Sequence, residues 1–315
     1  MTGTMLKPAG PDRLTRVTVR RVRKASKRMR AYLGVAHLRL RNILTRDPVA
    51  GTADVVVSMT TYGQRFRTVD LALESIARGT VRPRRLILWL DDPALLKSEQ
   101  PGLRRLQRRG VEVRFSRNFG PHTKYYPCVA GACDPVSPLV TADDDIVYPP
   151  RWLQSLVEAN SRYPDMVHGH WVSVIGTNRG SITQYEAWSR RRDTRPGFNN
   201  LAMGVYGVIY PPAMQRELRN RGELFMDVCP GADDIWLNWV ALRAGIQTRQ
   251  VEAKSHRFPV IPGSHARAPS GVNGTHRGND RWIRTLYSAE DISTLAATGP
   301  AEWLNEGDGR GGVTG

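Results

Sequence analysis

Between Asp54 and Ser161, short and nearly continuous apolar runs alternate with segments of helical periodicity. That alternation constrains the fold more than any other feature of the chain. Residues 55–59, 86–90, 111–115 and 139–142 read as strands. Residues 68–78 and 152–161 read as helices, with a helical stretch over 95–109 interrupted at Pro101 and another over 124–132 disturbed by Pro127. Strands that are apolar throughout are buried on both faces, which is the habit of parallel sheets covered by helices. Ligands of such sheets sit beyond the carboxyl ends of the strands. The pattern predicts an α/β fold with a mostly parallel, Rossmann-like central sheet.

After Pro164 the alternation is lost. Residues 165–175 read as a strand pair, 181–198 as a polar loop, 201–210 as one glycine-spaced strand, and 211–222 as a short helix. Residues 233–245 (DDIWLNWVALRAG) read as a helix with Gly245 suited to its C-terminal end. A strand is expected from Thr248, followed by a Gly/Pro-rich lid. The organisation expected is an arm over 1–50 and a body over 51–306. The body divides into halves at 51–150 and 151–260 and a lid with C-terminal helices at 261–306. A disordered tail is expected at 307–315.

The chain has 315 residues, 40% of them hydrophobic, enough for a full core. No apolar run approaches the roughly 18 residues of a transmembrane helix, and the first residues lack a secretory h-region. Cys128, Cys133 and Cys229 make no disulfide framework, and the first two match no common zinc spacing. The expected compartment is a reducing cytoplasm.

The net charge is +17, but residues 13–46 hold twelve Lys/Arg and no acid, which leaves +5 for everything else. In that segment Leu14, Val17, Val22, Ala25, Met29, Leu33, Ala36, Leu40 and Ile43 recur at helical spacing, with Asp12 placed to cap and Pro48 to close. Such a basic amphipathic helix suits the anionic inner face of a cell membrane as a peripheral anchor. It also suits packing on the body or on a second copy of the chain. A nucleic-acid arm fits less well, because Tyr32 is its only aromatic residue.

The body's chemistry concentrates in PLVTADDDIVYPP, where Asp143, Asp144 and Asp145 close an apolar strand. Adjacent carboxylates that are not fully solvated need a cationic partner or a divalent metal. In extended chain Asp143 and Asp145 share a side, and two oxygen ligands suit Mg2+ or Mn2+ bound together with substrate phosphates. A solvated loop leading to a helix cap is the plain alternative. Lys124 follows Gly120-Pro121, placed as a point charge for a diphosphate. Asp233 and Asp234 open a helix, where the dipole favours carboxylates whether or not they do chemistry. His168 and His170 form an HxH pair more suited to packing than to a metal. Trp171, Trp188 and Trp236 could stack on sugar rings.

These segments, in this order, resemble the GT-A-type nucleotide-sugar glycosyltransferases, in particular bacterial enzymes that build cell-surface polysaccharides and glycolipids. The resemblance spans residues 54–245. It rests on VVVSMTTYGQR, RLILWLDD, GPHTKYYP, TADDDIVYPPRWL, GVYGVIYPP and GADDIWLNWVALRAG. It implies that Thr60, Thr61 and Tyr62 line the base and ribose pocket and that Arg65 or Arg67 approaches the phosphates. Asp91 would contact uracil or ribose. Asp143 and Asp145 would hold the metal and the ribose, with Asp144 sharing. Asp234 would be the general base of an inverting transfer, with Asp233 orienting the acceptor; a retaining mechanism would not need that base. A histidine after the acidic helix would complete the metal shell, His256 ahead of His265 and His276. The donor implied is a nucleoside-diphosphate sugar, UDP by frequency in the family, and the acceptor is a glycan or a lipid-linked glycan. A sugar-nucleotide nucleotidyltransferase would carry a Gly-rich loop and Lys after the first strand, which SMTTYGQR lacks. A nucleic-acid-binding protein would spread its basic residues over the body.

Overall fold

The computed structural model describes residues 13–264 and 278–298. Seven strands form the central sheet: β1 (Ala53–Thr61), β2 (Pro83–Leu90), β3 (Val111–Phe115), β4 (Leu139–Ala142), β5 (Val167–Gly169), β6 (Val208–Tyr210) and β7 (Thr248–Gln250). Their order is β7-β5-β6-β4-β1-β2-β3. All pairings are parallel except those of β6, which runs against both β4 and β5. The α/β class and the mostly parallel central sheet flanked by helices are therefore as expected.

The strands are apolar for the expected reason: both faces are covered. Val55, Val57, Met59, Leu86, Leu88 and Val140 join one hydrophobic cluster, while Val56, Ile87 and Leu139 join the other on the opposite face. The first cluster is closed by α2 (Val69–Ala77), α3 (Pro101–Arg108) and α4 (Trp152–Arg162). The second is closed by α5 (Pro212–Arg221), α6 (Asp233–Arg243), α7 (Gly278–Leu286) and α8 (Ala289–Ala297).

The N-terminal helix α1 spans Arg13–Leu44. Its C-terminal part is not a free arm. Val35 and Leu38 are buried in the cluster beneath α2, and Asn42 donates to Glu74 Oε2 (3.1 Å) and to the Gly102 carbonyl. Glu74 is fully buried and is neutralised by Arg109 (2.6 Å) and Arg41 (3.1 Å), so α1 supplies one of the two cations. Of the apolar stripe read from the sequence, Met29, Leu33, Leu40 and Ile43 stay exposed.

Two further expectations change. Residues 201–210 are not one strand. They divide into Asn200–Ala202, which pairs with Val172–Val174 in a small second sheet, and β6, with a turn at Gly204–Tyr206 between them. Gly207 forces the division: its φ is +96°, and a Cβ there would lie 2.5 Å from the Trp152 indole. Cys128 and Cys133 are disulfide-bonded across a turn at Gly131 (φ +135°), a pairing the cysteine spacing did not suggest. Cys229 is free and buried. The tail at 307–315 and Asp12 lie outside the described residues, and no described helix is long and apolar enough to cross a membrane.

Candidate functional site

Register decides what meets at the carboxyl edge of the sheet. β1 and β4 pair with Met59 opposite Ala142, so Thr60–Tyr62 and Asp143–Asp145 leave the sheet side by side. β1 and β2 pair with Thr61 opposite Leu90, which sets Asp91 beside Tyr62. The Thr61 hydroxyl donates to Asp144 Oδ2 at 2.6 Å. Arg65, in the turn after β1, donates to Asp144 Oδ1 (3.0 Å) and pairs with Asp145 Oδ2 (3.2 Å). Asp144 and Asp145 are 3% and 5% exposed. Burial raises the Asp144 carboxyl to about 6 even with Thr61 and Arg65 holding its charged form. The backbone N–H of Asp143 donates to the Tyr148 hydroxyl (2.7 Å), which fixes the turn after β4.

Lys124 ties the aspartate segment to α6. Its ammonium sits 3.0 Å from Asp143 Oδ1 and 3.1 Å from Asp233 Oδ2. Burial alone would discharge the lysine, but Asp143, Asp233 and Asp234 hold it charged, well above its ordinary range. The Ser58 hydroxyl holds the lysine in place by donating to its backbone carbonyl (2.7 Å) and accepting from the Trp89 indole N–H (2.9 Å). His122, two residues earlier, is buried and its pKa is lowered to about 4, so it is neutral. Its Nε2 faces the Cys229 carbonyl (2.8 Å) and therefore carries the proton, while Nδ1 accepts from the Tyr125 hydroxyl (3.0 Å). This contact fixes the loop that leads into Asp233 and Asp234.

Asp234 Oδ1 accepts the Gly204 backbone N–H at 3.0 Å. Burial and the neighbouring Asp233 charge push its carboxyl well above the carboxylate range. A Cβ on Gly204 would lie 2.8 Å from Asp234 Oδ1 and 3.2 Å from Lys124 Nζ, so glycine is what lets the backbone reach this carboxylate. Asp233 is 8% exposed and engaged by Lys124, whereas Asp234 is more accessible.

Asp143, Asp144, Asp145, Asp233 and Asp234 thus share two described cations, Lys124 and Arg65. Among the described residues, these five carboxylates outnumber those two cations by three when all are ionised. Oxygen donors with an excess of negative charge fit a hard divalent cation that takes its other ligands from water and phosphate. Among the described residues no group of three or more His, Cys, Asp or Glu side chains is placed to hold a metal ion by itself.

The remaining candidates fall in different places. The Thr60 hydroxyl is spent on the Trp89 carbonyl (3.1 Å). Tyr62 is 39% exposed at the edge of the aspartate segment, with the Arg65 guanidinium 5.3 Å from its ring centre. Asp91 is half-buried, and burial raises its carboxyl. Arg67 has no described contact to the aspartates. His256 is not brought to them: it is exposed and pairs with Glu252 (3.0 Å), lining a separate cavity with His170 and Trp152. His168 and His170 are buried, lowered to about 4, and each donates from Nε2 to a backbone carbonyl, so the HxH pair is packing. Trp236 is core. Trp171 and Trp188 line a cavity of about 330 Å3 with Tyr185 and Tyr206. His265 and His276 lie outside the described residues. Ser58, Tyr148, His122 and Gly204 were not singled out from the sequence. Ser58, His122 and Gly204 act over separations of 66, 107 and 30 residues, and Tyr148 over five; each lies inside a segment that carried the resemblance, but no residue type there marked its role.

No protein-family model matches the chain, and no curated protein matches it in sequence. Among solved structures the chain is similar to S. aureus TarS 1-349, with a TM-score of 0.42 and 13% identity over 65% of this chain and 59% of that one. It is also similar to CMP:2-keto-3-deoxy-manno-octonic acid synthetase complexed with CTP, with a TM-score of 0.38 and 12% identity over 72% of this chain and 97% of that one. The chain spans about 59% of the TarS fragment's length. At these values the functional argument rests on the site itself.

Proposed function

We propose that the protein transfers a sugar from a nucleoside-diphosphate sugar, a UDP-sugar in the first instance, to a hydroxyl of a glycan or lipid-linked glycan. The single observation that carries this reading is the Lys124 bridge. One mostly buried ammonium joins a donor-side carboxylate, Asp143, to an acceptor-side helix whose next residue, Asp234, is a half-buried carboxylate of raised pKa. Such a carboxylate is tuned for proton abstraction near neutral pH. Asp234 takes the proton from the acceptor hydroxyl as that oxygen attacks the anomeric carbon. One base opposite the leaving group gives inversion.

Asp143 and Asp145 would hold Mg2+ or Mn2+, which supplies Lewis-acid neutralisation of the departing diphosphate. The chain's own residues do the rest. Lys124 places a fixed positive charge beside the phosphates, and Arg65 keeps Asp144 and Asp145 from repelling each other. Tyr62 and Asp91 flank the nucleoside position at the ends of β1 and β2. The basic residues of the α1 segment, eight of them in residues 13–28, hold the protein at an anionic membrane surface. A nucleotidyltransferase would need a phosphate-cradling loop and lysine after β1, where this chain has Tyr62, Gly63, Gln64 and Arg65.

The test is a thermal-shift panel of nucleoside diphosphates with and without Mn2+. One nucleotide should raise the melting temperature only when metal is present. A panel without any shift sinks the reading.

A further inference from the structure

Two cavities meet at Arg257 and Tyr206. The smaller, about 330 Å3, has Met203 and Val205 in its wall, the residues on either side of the Gly204 N–H that holds Asp234. Its floor is aromatic: Trp171 stacks on Tyr206 (5.2 Å, 26°), with Arg190 and Arg257 over the Trp171 ring at 4.1 and 5.2 Å. Glu186 also lines it. The size suits one small ligand, for which about 300–1,000 Å3 is usual. Aromatic faces beside polar side chains suit a sugar ring.

The larger cavity, about 1080 Å3, lies between α1 and residues 257–263. Its lining from α1 includes Ala31, Tyr32 and Gly34, and from the other side Phe258 and Val260. Among the described residues, the charged members of that lining are Arg30 and Arg257. The wall is strapped to the aspartate segment: Ile261 N–H donates to the Asp145 carbonyl (2.7 Å) and Val147 N–H to the Pro259 carbonyl (2.8 Å). A slot whose described lining is largely apolar, with two arginines, calls for a hydrocarbon chain bearing an anion.

We propose that the acceptor is a saccharide carried on a lipid phosphate, and that α1 is a wall of its binding site. The inference rests on the transfer reading above. The sugar lies in the aromatic cavity facing Asp234, the phosphate meets Arg257 and Arg30, and the hydrocarbon lies against α1. Arg257, shared by both cavities, marks where head and tail join.

The test uses the full chain and monomeric farnesyl phosphate, followed by tryptophan fluorescence and calorimetry. Farnesol, inorganic phosphate and anionic phospholipid vesicles serve as comparison arms. Farnesyl phosphate should bind at least about tenfold more tightly than farnesol or phosphate, the loss expected when one charge-assisted or one apolar contact set is missing. Arg257→Gln should weaken it by a similar factor. Gly34→Trp should block the slot without distorting the helix, because a Cβ at Gly34 meets nothing within 4 Å. Both variants should melt like the parent and keep its nucleotide response. Undiminished binding in Gly34→Trp, equal binding of farnesol, or binding to vesicles alone would each overturn the proposal. A protein stabilised by nucleotide that ignores farnesyl phosphate overturns this inference only. One that binds farnesyl phosphate but no nucleotide overturns the transfer reading, and the acceptor role with it.

Discussion

Asp234 and Asp233 are chemically identical neighbours with different surroundings, and the difference assigns their roles. Asp233 is consumed by Lys124, whereas Asp234 accepts only a backbone N–H among its described hydrogen bonds and is more open. Asp234→Asn should lower kcat by about 10²–10⁴, the usual worth of a general base, and leave nucleotide stabilisation intact. A variant that turns over normally would remove Asp234 from the mechanism. The pH dependence follows from the raised pKa. The base works only when ionised, so kcat/KM should fall as pH drops through a value well above the ordinary carboxylate range. Part of that elevation comes from the Asp233 charge, so Asp233→Asn should move the acid limb to lower pH. A limb that does not move would mean that burial alone sets it. The charged members of this site were legible in the sequence because Asp and Lys stand out against apolar strands. Gly204 and Ser58 were not. Each acts through a backbone amide or a hydroxyl on a partner tens of residues away, and residue type alone carries no mark of that.

At the scale of elements, α1 shows how far periodicity reaches. The spacing of its apolar residues specified a helix, and α1 is one. It did not specify which face docks, because Val35 and Leu38 make a second apolar row beside the exposed one at Leu33, Leu40 and Ile43. Docking was decided by Glu74, a buried carboxylate on α2 whose partners Arg41 and Asn42 come from α1. The antiparallel β6 was hidden for a similar reason: Gly204 and Gly207 sit inside one apolar run, and their turn geometry is set by Trp152 and Asp234 elsewhere in the chain. Glu74→Gln should cost about 3–5 kcal/mol, because it strands the buried Arg109 guanidinium. Leu38→Ala should cost about 2–5 kcal/mol from lost burial and the cavity left behind. Both are read from denaturant melts, and a loss under about 1 kcal/mol in both would mean that α1 does not dock as described.

At the scale of the molecule, two electrostatic systems of opposite sign serve different ends. The carboxylate cluster is largely buried, so its attraction for a cation is weakly screened by salt. In the proposed membrane reading, the Lys/Arg of residues 13–46 other than Arg41 would act at a surface, where each contributes on the order of 1 kcal/mol toward an anionic bilayer and screening is strong. The two should therefore separate by truncation and by salt. Removing residues 1–28 takes away eight of the segment's twelve cations but spares Val35, Leu38, Arg41 and Asn42. That truncated chain should keep its nucleotide-dependent melting shift and lose most of its co-sedimentation with anionic vesicles. Removing residues 1–48 should instead compromise folding, since the buried Glu74 loses Arg41 and Asn42 at once. For the full chain, vesicle binding should collapse between 0.1 and 1 M salt as the Debye length falls from about 10 to about 3 Å, while the nucleotide shift persists. Vesicle binding that survives 1 M salt would assign the attachment to the exposed apolar row of α1 rather than to its charge.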